Sequence, residues 1–237
     1  APVDTNNVKS LPAPSVPFDK SESSKPEQVP FQPKLLQSTS NIDIILDASG
    51  SMSSPFASTS SLKFDLLKEY TLDILSQVAK QTSFPRNIGI HTFGSEQASS
   101  ANNCQDVQEL YKLGELDLNK VQQTLEKTTA RGMSPIENAL QLSAKSFPED
   151  STADRTIVLV ADGADTCGGD PCNLAKKLKA ESSKTLIHVI GFDVTPEDQA
   201  KLECIAKAAD GRFFLARNEN ELRTVLDEAI NSTVPYN

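Results

Sequence analysis

From Asn41 onward the apolar residues follow two periods in turn. Ile42-Asp43-Ile44-Ile45-Leu46 is a compact apolar run that reads as a strand. Between Leu62 and Lys80, Leu67, Ile74, Leu75 and Val78 fall on one face at helical spacing. Asn87 to Phe93 reads as a strand and Tyr111 to Leu113 as a short edge strand. Asp117 to Thr128 and Pro135 to Ser146 carry helical patterns. Thr156 to Ala161 is almost continuously apolar, the signature of a parallel strand covered on both faces. Helix Asn173–Glu181, strand Thr185–Ile190, helix Pro196–Ala209, strand Arg212–Leu215 and helix Glu219–Asn231 complete the series. This alternation predicts an α/β fold, a doubly wound and mostly parallel central sheet with helices on both faces. Ligands of such sheets bind beyond the carboxyl ends of the strands, where the strand order reverses.

Residues 1–40 break the pattern. They hold half of the chain's 14 prolines and no glycine. Proline removes backbone donors and blocks regular ladders, so this stretch reads as an extended arm or linker. Val16-Pro17-Phe18 and Val29-Pro30-Phe31 repeat a short apolar unit within it, suited to docking on a domain surface. Ala1-Pro2 is compatible with a mature chain left by signal cleavage. The expected organisation is an arm over 1–40, a domain over 41–232 and a tail over 233–237. The composition agrees, because 38% apolar residues in 237 is low for a chain that is all core. No apolar run is long enough to span a bilayer as a helix. The net charge of -9 and the absence of Trp argue against nucleic acid as a partner.

Four cysteines, Cys104, Cys167, Cys172 and Cys204, suit disulfides in an oxidising compartment, and the same count suits four buried thiols. Their spacings lack the paired halves of a structural zinc site. The turn-rich Gly168-Gly169-Asp170-Pro171 predicts a bridge between Cys167 and Cys172. The pairing of Cys104 with Cys204 stays open.

The strand ends carry the chemistry. The first strand runs into Asp47-Ala48-Ser49-Gly50-Ser51, the strand from Thr156 runs into Asp162-Gly163, and Ser134-Pro135 opens a helix between them. These segments supply hard oxygen donors and neither His nor Cys, which suits Mg2+. The set Asp47-x-Ser49-x-Ser51, Ser134 and Asp162 resembles the metal-ion-dependent adhesion site of von Willebrand factor type A domains. Pro135-Ile136, Ala139-Leu140, Asp162 to Cys172, His188 to Phe192 and Gly211 to Phe214 are similar to bacterial-type members. The family usually has Thr where this chain has Ser134. The resemblance implies that Ser49 and Ser51 coordinate the ion directly. Ser134 would bind it directly or through water, and Asp47 and Asp162 would act largely through water or the ligating hydroxyls. It further implies Mg2+, with Mn2+ or Ca2+ as substitutes, and an open position that accepts an Asp or Glu of a protein partner. The function so implied is adhesion or assembly, without catalysis, by a secreted, periplasmic or cell-surface protein.

Each segment also has a local reading. Asp47 to Ser51 fits a strand-to-helix turn. Ser134-Pro135-Ile136-Glu137 fits a capping box with Ser134 as N-cap. His91 and His188 read as structural; Asp170 and Asp193 follow strand ends and read as surface turns, with a place on the rim of the metal face as the alternative. Asn231-Ser232-Thr233 matches a glycosylation sequon, of use only in a eukaryotic secretory pathway. The rival functions are a metal-dependent hydrolase and a cytoplasmic scaffold of the same fold. The first lacks a P-loop, a G-x-S-x-G and a second acidic cluster.

Overall fold

The computed structural model describes residues 40–56, 60–81, 86–149 and 153–232. Most of the expected arm, with both Val-Pro-Phe units, and the whole tail lie outside these residues. Ser40 already belongs to the first strand.

Six strands form one sheet: β1 (Ser40–Asp47), β2 (Arg86–Phe93), β3 (Val107–Glu115), β4 (Arg155–Ala161), β5 (Thr185–Phe192) and β6 (Phe213–Ala216). Their order is β3-β2-β1-β4-β5-β6. All pairs are parallel except β2 with the edge strand β3. The sheet is therefore doubly wound, and its order reverses between β1 and β4. The edge strand is nine residues long, well beyond the three the sequence pattern marks, because β3 is half-exposed along its length and has no continuous apolar run.

Pleating sends alternate residues of β1 to opposite faces. Ile42, Ile44 and Leu46 join a core with α1 (Lys63–Val78), α2 (Leu118–Lys127) and α6 (Glu219–Asn231). Ile45 joins the other core with α3 (Ile136–Ser146), α4 (Pro171–Glu181) and α5 (Pro196–Ala208). Burial on both faces explains why β1, β4 and β5 read as apolar runs. The carboxyl ends of β1, β2, β4 and β5 then emerge together on one edge of the sheet.

Candidate metal centre

The centre is built on the reversal point. Asp47 closes β1 and is fully buried. Its Oδ1 accepts the Ser49 amide hydrogen at 2.7 Å and its Oδ2 accepts that of Asp162 at 3.3 Å. One carboxylate thus ties the end of β1 to the end of β4. Ser49 precedes a short 3-10 turn, Gly50–Ser53, that lifts Ser51 over the strand end. Ser49 Oγ and Ser51 Oγ lie 3.0 Å apart, and Ser51 Oγ donates to Asp162 Oδ1 at 2.7 Å. Asp47, Ser49, Ser51 and Asp162 therefore form one hydrogen-bonded group of oxygens.

Ser134 comes to the same edge on a neighbouring loop. Ser49 bridges to Gly132 in parallel register, and the Gly50 amide donates to the Gly132 carbonyl at 2.9 Å. Gly94 makes this approach possible. It has φ +73°, and a Cβ there would stand 2.5 Å from the Met133 carbonyl oxygen. Thr166 clamps Ser134 from both sides: its Oγ1 accepts the Ser134 amide at 2.9 Å, and its own amide donates to the Ser134 carbonyl at 3.1 Å. The Ser134 hydroxyl takes no partner among the described residues, so the structure brings its backbone to the centre without joining it to the other four.

The expected capping box at Ser134 does not form. The helix starts at Ile136 with Pro135 as N-cap, and the Glu137 amide is capped instead by Asp165 Oδ2 at 3.0 Å. A carboxylate from the loop after β4 takes the task that the sequence pattern gives to a local hydroxyl. Asp165 Oδ1 also accepts the amides of Cys167 and Gly169, which curls that loop around a single side chain.

The disulfides differ from expectation as well. Cys104 pairs with Cys167, and Cys172 with Cys204. Curled about Asp165, the loop after β4 presents Cys167 to the β2–β3 loop. Cys172 lies in the first turn of α4, where Asp170 caps the helix, and meets α5. The two residues thus belong to different walls and cannot bridge each other.

Sequence reasoning missed Lys63. It is the first residue of α1 and buried, and its ammonium lies 3.1 Å from both Asp162 Oδ2 and Asp193 Oδ2. Asp193 follows β5, and its ion pair with Lys63 puts it on the rim of the centre, the alternative to a plain surface turn. Burial works to lower the Lys63 pKa, but Asp162 and Asp193 outweigh it and hold the ammonium above its usual value. Asp47 has no cationic partner among the described residues. Burial first, and the facing Asp162 carboxylate second, push its carboxyl up to about 7 against the bonds from Ser49 and Asp162. A basic residue in the first turn of a helix opposes the helix dipole, which is the one signal of Lys63 the sequence carried.

Two hydroxyls and two carboxylates clustered in this way, oxygen donors only, fit a hard divalent cation better than a soft one. A raised carboxyl beside a second carboxylate is also the electrostatic deficit that a cation relieves.

A doubly wound sheet with an oxygen-rich centre at its reversal point defines a Rossmann-like domain. The chain belongs to the von Willebrand factor type A domain family, whose profile matches residues 41–228. It is 27% identical over 193 residues to the uncharacterized protein YwmC of Bacillus subtilis, covering 79% of this chain and 82% of that one. Among solved structures, it is similar to the conserved hypothetical protein BatB from Bacteroides thetaiotaomicron. That match has a TM-score of 0.62 at 17% identity and covers 81% of this chain and 97% of that chain. It is also similar to proximal thread matrix protein 1 of the mussel byssus, in a structure described as having a zinc-occupied MIDAS motif. There the TM-score is 0.61 at 16% identity, with 81% of this chain and 45% of that chain covered.

Proposed function

We propose that this domain is an extracytoplasmic protein-binding module, for adhesion or assembly, that captures a partner's carboxylate through a divalent ion, Mg2+ by preference. The observation that carries the reading is the hydrogen-bonded oxygen group of Asp47, Ser49, Ser51 and Asp162 at the reversal point. Ser49, Ser51 and Ser134 would hold the ion by their hydroxyls, with Asp47 and Asp162 orienting those hydroxyls and balancing charge. When bound, the ion supplies a Lewis-acidic position open to an Asp or Glu. Asp47 does its part through rigidity, since both of its oxygens are fixed by backbone amides. The byssus protein of the same fold, with its zinc-occupied motif, supports a divalent ion here. Two disulfides support an oxidising compartment.

The test is a Mg2+ titration by calorimetry, followed by panning of a random peptide library with Mg2+ and with chelator. Parent protein should bind one ion, Ser49→Ala/Ser51→Ala none, and the Mg2+-dependent peptides should share an Asp or Glu whose amide variant no longer binds. Peptides held equally well in excess chelator would place recognition away from the centre.

A further inference from the structure

Lys63 sits where a helix least favours a cation. The first turn of α1 carries unsatisfied amides and the positive end of the helix dipole. Its ammonium is nevertheless drawn in beside Asp162 and Asp193, with 10% of its side chain exposed. The placement is braced. The Lys63 amide donates to the Ser54 carbonyl at 3.0 Å, Pro55 bridges to Leu62, and Phe56 packs on Phe192 with ring centroids 4.4 Å apart. The stem therefore leaves a fixed point beside the 3-10 turn that carries Ser51.

Asp162 thus serves two claims. Its Oδ1 holds the Ser51 hydroxyl and its Oδ2 holds Lys63. Two carboxylates, Asp162 and Asp193, hold one ammonium at this edge of the sheet. Asp193 is the more exposed of the two lysine partners, with 47% of its side chain accessible, against 2% for Asp162. An ammonium held by both aspartates can keep the outer one when the inner one is claimed by another cation.

We propose that Lys63 is a tethered cation that competes with the divalent ion for Asp162, so that loading the centre shifts the ammonium onto Asp193. This rests on the metal-dependent reading above. The built-in cation stabilises the unloaded centre, weakens ion affinity, and disfavours monovalent ions, which bring no more charge than the lysine already supplies. It also leaves the ammonium on the exposed Asp193 at the rim of the loaded centre, beside the place where an acidic partner would dock.

Two measurements test this. The first is Mn2+ binding followed by electron paramagnetic resonance for parent, Lys63→Met and Lys63→Gln, each checked for fold by circular dichroism. The uncharged variants should bind Mn2+ at least tenfold tighter. Equal or weaker binding in a folded variant would overturn the proposal while leaving the metal site standing. Failure of parent and variants alike to bind would overturn both. The second uses the parent alone, so it does not depend on a variant folding. Limited acetylation read by mass spectrometry should label Lys63 faster in Mg2+ than in chelator, with the other lysines unchanged. Labelling of Lys63 that is indifferent to Mg2+ would overturn the shift.

Discussion

Asp43 and His91 are both fully buried, in the middle of adjacent strands, with Oδ2 and Nδ1 2.7 Å apart. Gly89 makes room for this pair: a Cβ there would stand 2.5 Å from Asp43 Oδ1. Removing one member leaves the other buried without it, and an unpaired buried polar group costs about 1–3 kcal/mol. Asp43→Ala should therefore lower unfolding free energy by about that much in urea titrations, far more than a surface Asp→Ala. His188 is the second buried ring, and its neutral form satisfies both nitrogens. Nδ1 accepts the Arg212 amide at 3.0 Å, and Nε2 donates to the Ser232 carbonyl at 3.1 Å. Burial above all, with the Arg212 charge adding, holds its pKa below the ordinary histidine value, partly offset by Ser232 and Glu228. The unfolded chain then takes up this proton at higher pH than the folded one. The stability this ring contributes is whole above about pH 6.5 and falls as pH drops from there toward the lowered folded value. The urea midpoint of the parent should decline between pH 7 and pH 5 more than that of His188→Gln. Taking the difference between the two cancels the other titrating groups, Asp47 among them. The sequon residue Asn231 is engaged too, its amide accepting from Arg86 and donating to Asp227.

At the scale of elements, the loop between β4 and α4 organises the centre. Through Asp165 it caps α3, through Thr166 it clamps Ser134, and through Cys167 it is tied to Cys104 before β3. The Cys104–Cys167 bridge spans 63 residues, and removing it should free about 4 kcal/mol of chain entropy in the unfolded state. Cys104→Ser/Cys167→Ser should lose roughly that stability. It should also bind Mn2+ more weakly than Cys172→Ser/Cys204→Ser, because only the first pair holds the Thr166 clamp. Equal Mn2+ affinity in the two variants would show that the clamp does not depend on the bridge. These ties explain what the sequence could and could not reveal. The buried strands were legible because burial on both faces leaves an unbroken apolar signature in β1, β4 and β5. Asp47, Ser49, Ser51 and Asp162 were legible because they follow those strands directly, and the structure brings them together. The capping of α3 and the cysteine pairing were not legible, because each depends on how one loop curls about Asp165. Local patterns pointed to Ser134 and to the Gly-Gly-Asp-Pro turn, and tertiary partners replaced both. Lys63 escaped because its partners lie 99 and 130 positions away, at the ends of two other strands.

For the molecule as a whole, the net charge of -9 sets two opposing effects on the proposed centre. An acidic surface attracts a divalent cation and repels an acidic partner. At about 0.15 M salt both long-range effects fade beyond roughly 8 Å, which leaves the local arrangement of Asp47, Asp162, Asp193 and Lys63 to decide ion binding. An ion that binds only the folded chain stabilises the whole fold by mass action, by about 2.7 kcal/mol at a hundredfold excess over Kd. For a domain of this size that corresponds to a rise in Tm of about 5–10 °C. The gain is global because the oxygens come from the ends of β1 and β4, the central strands, so the centre cannot form unless the sheet is closed. Calorimetric scans in Mg2+ should therefore show Tm climbing with the logarithm of ion concentration once the site is saturated. The same scans with Na+ at matched ionic strength should show no climb, and neither should Ser49→Ala/Ser51→Ala in Mg2+. A rise shared by Na+ would assign the effect to screening of the acidic surface, and a flat response to Mg2+ in the parent would remove the ion from the account of this centre.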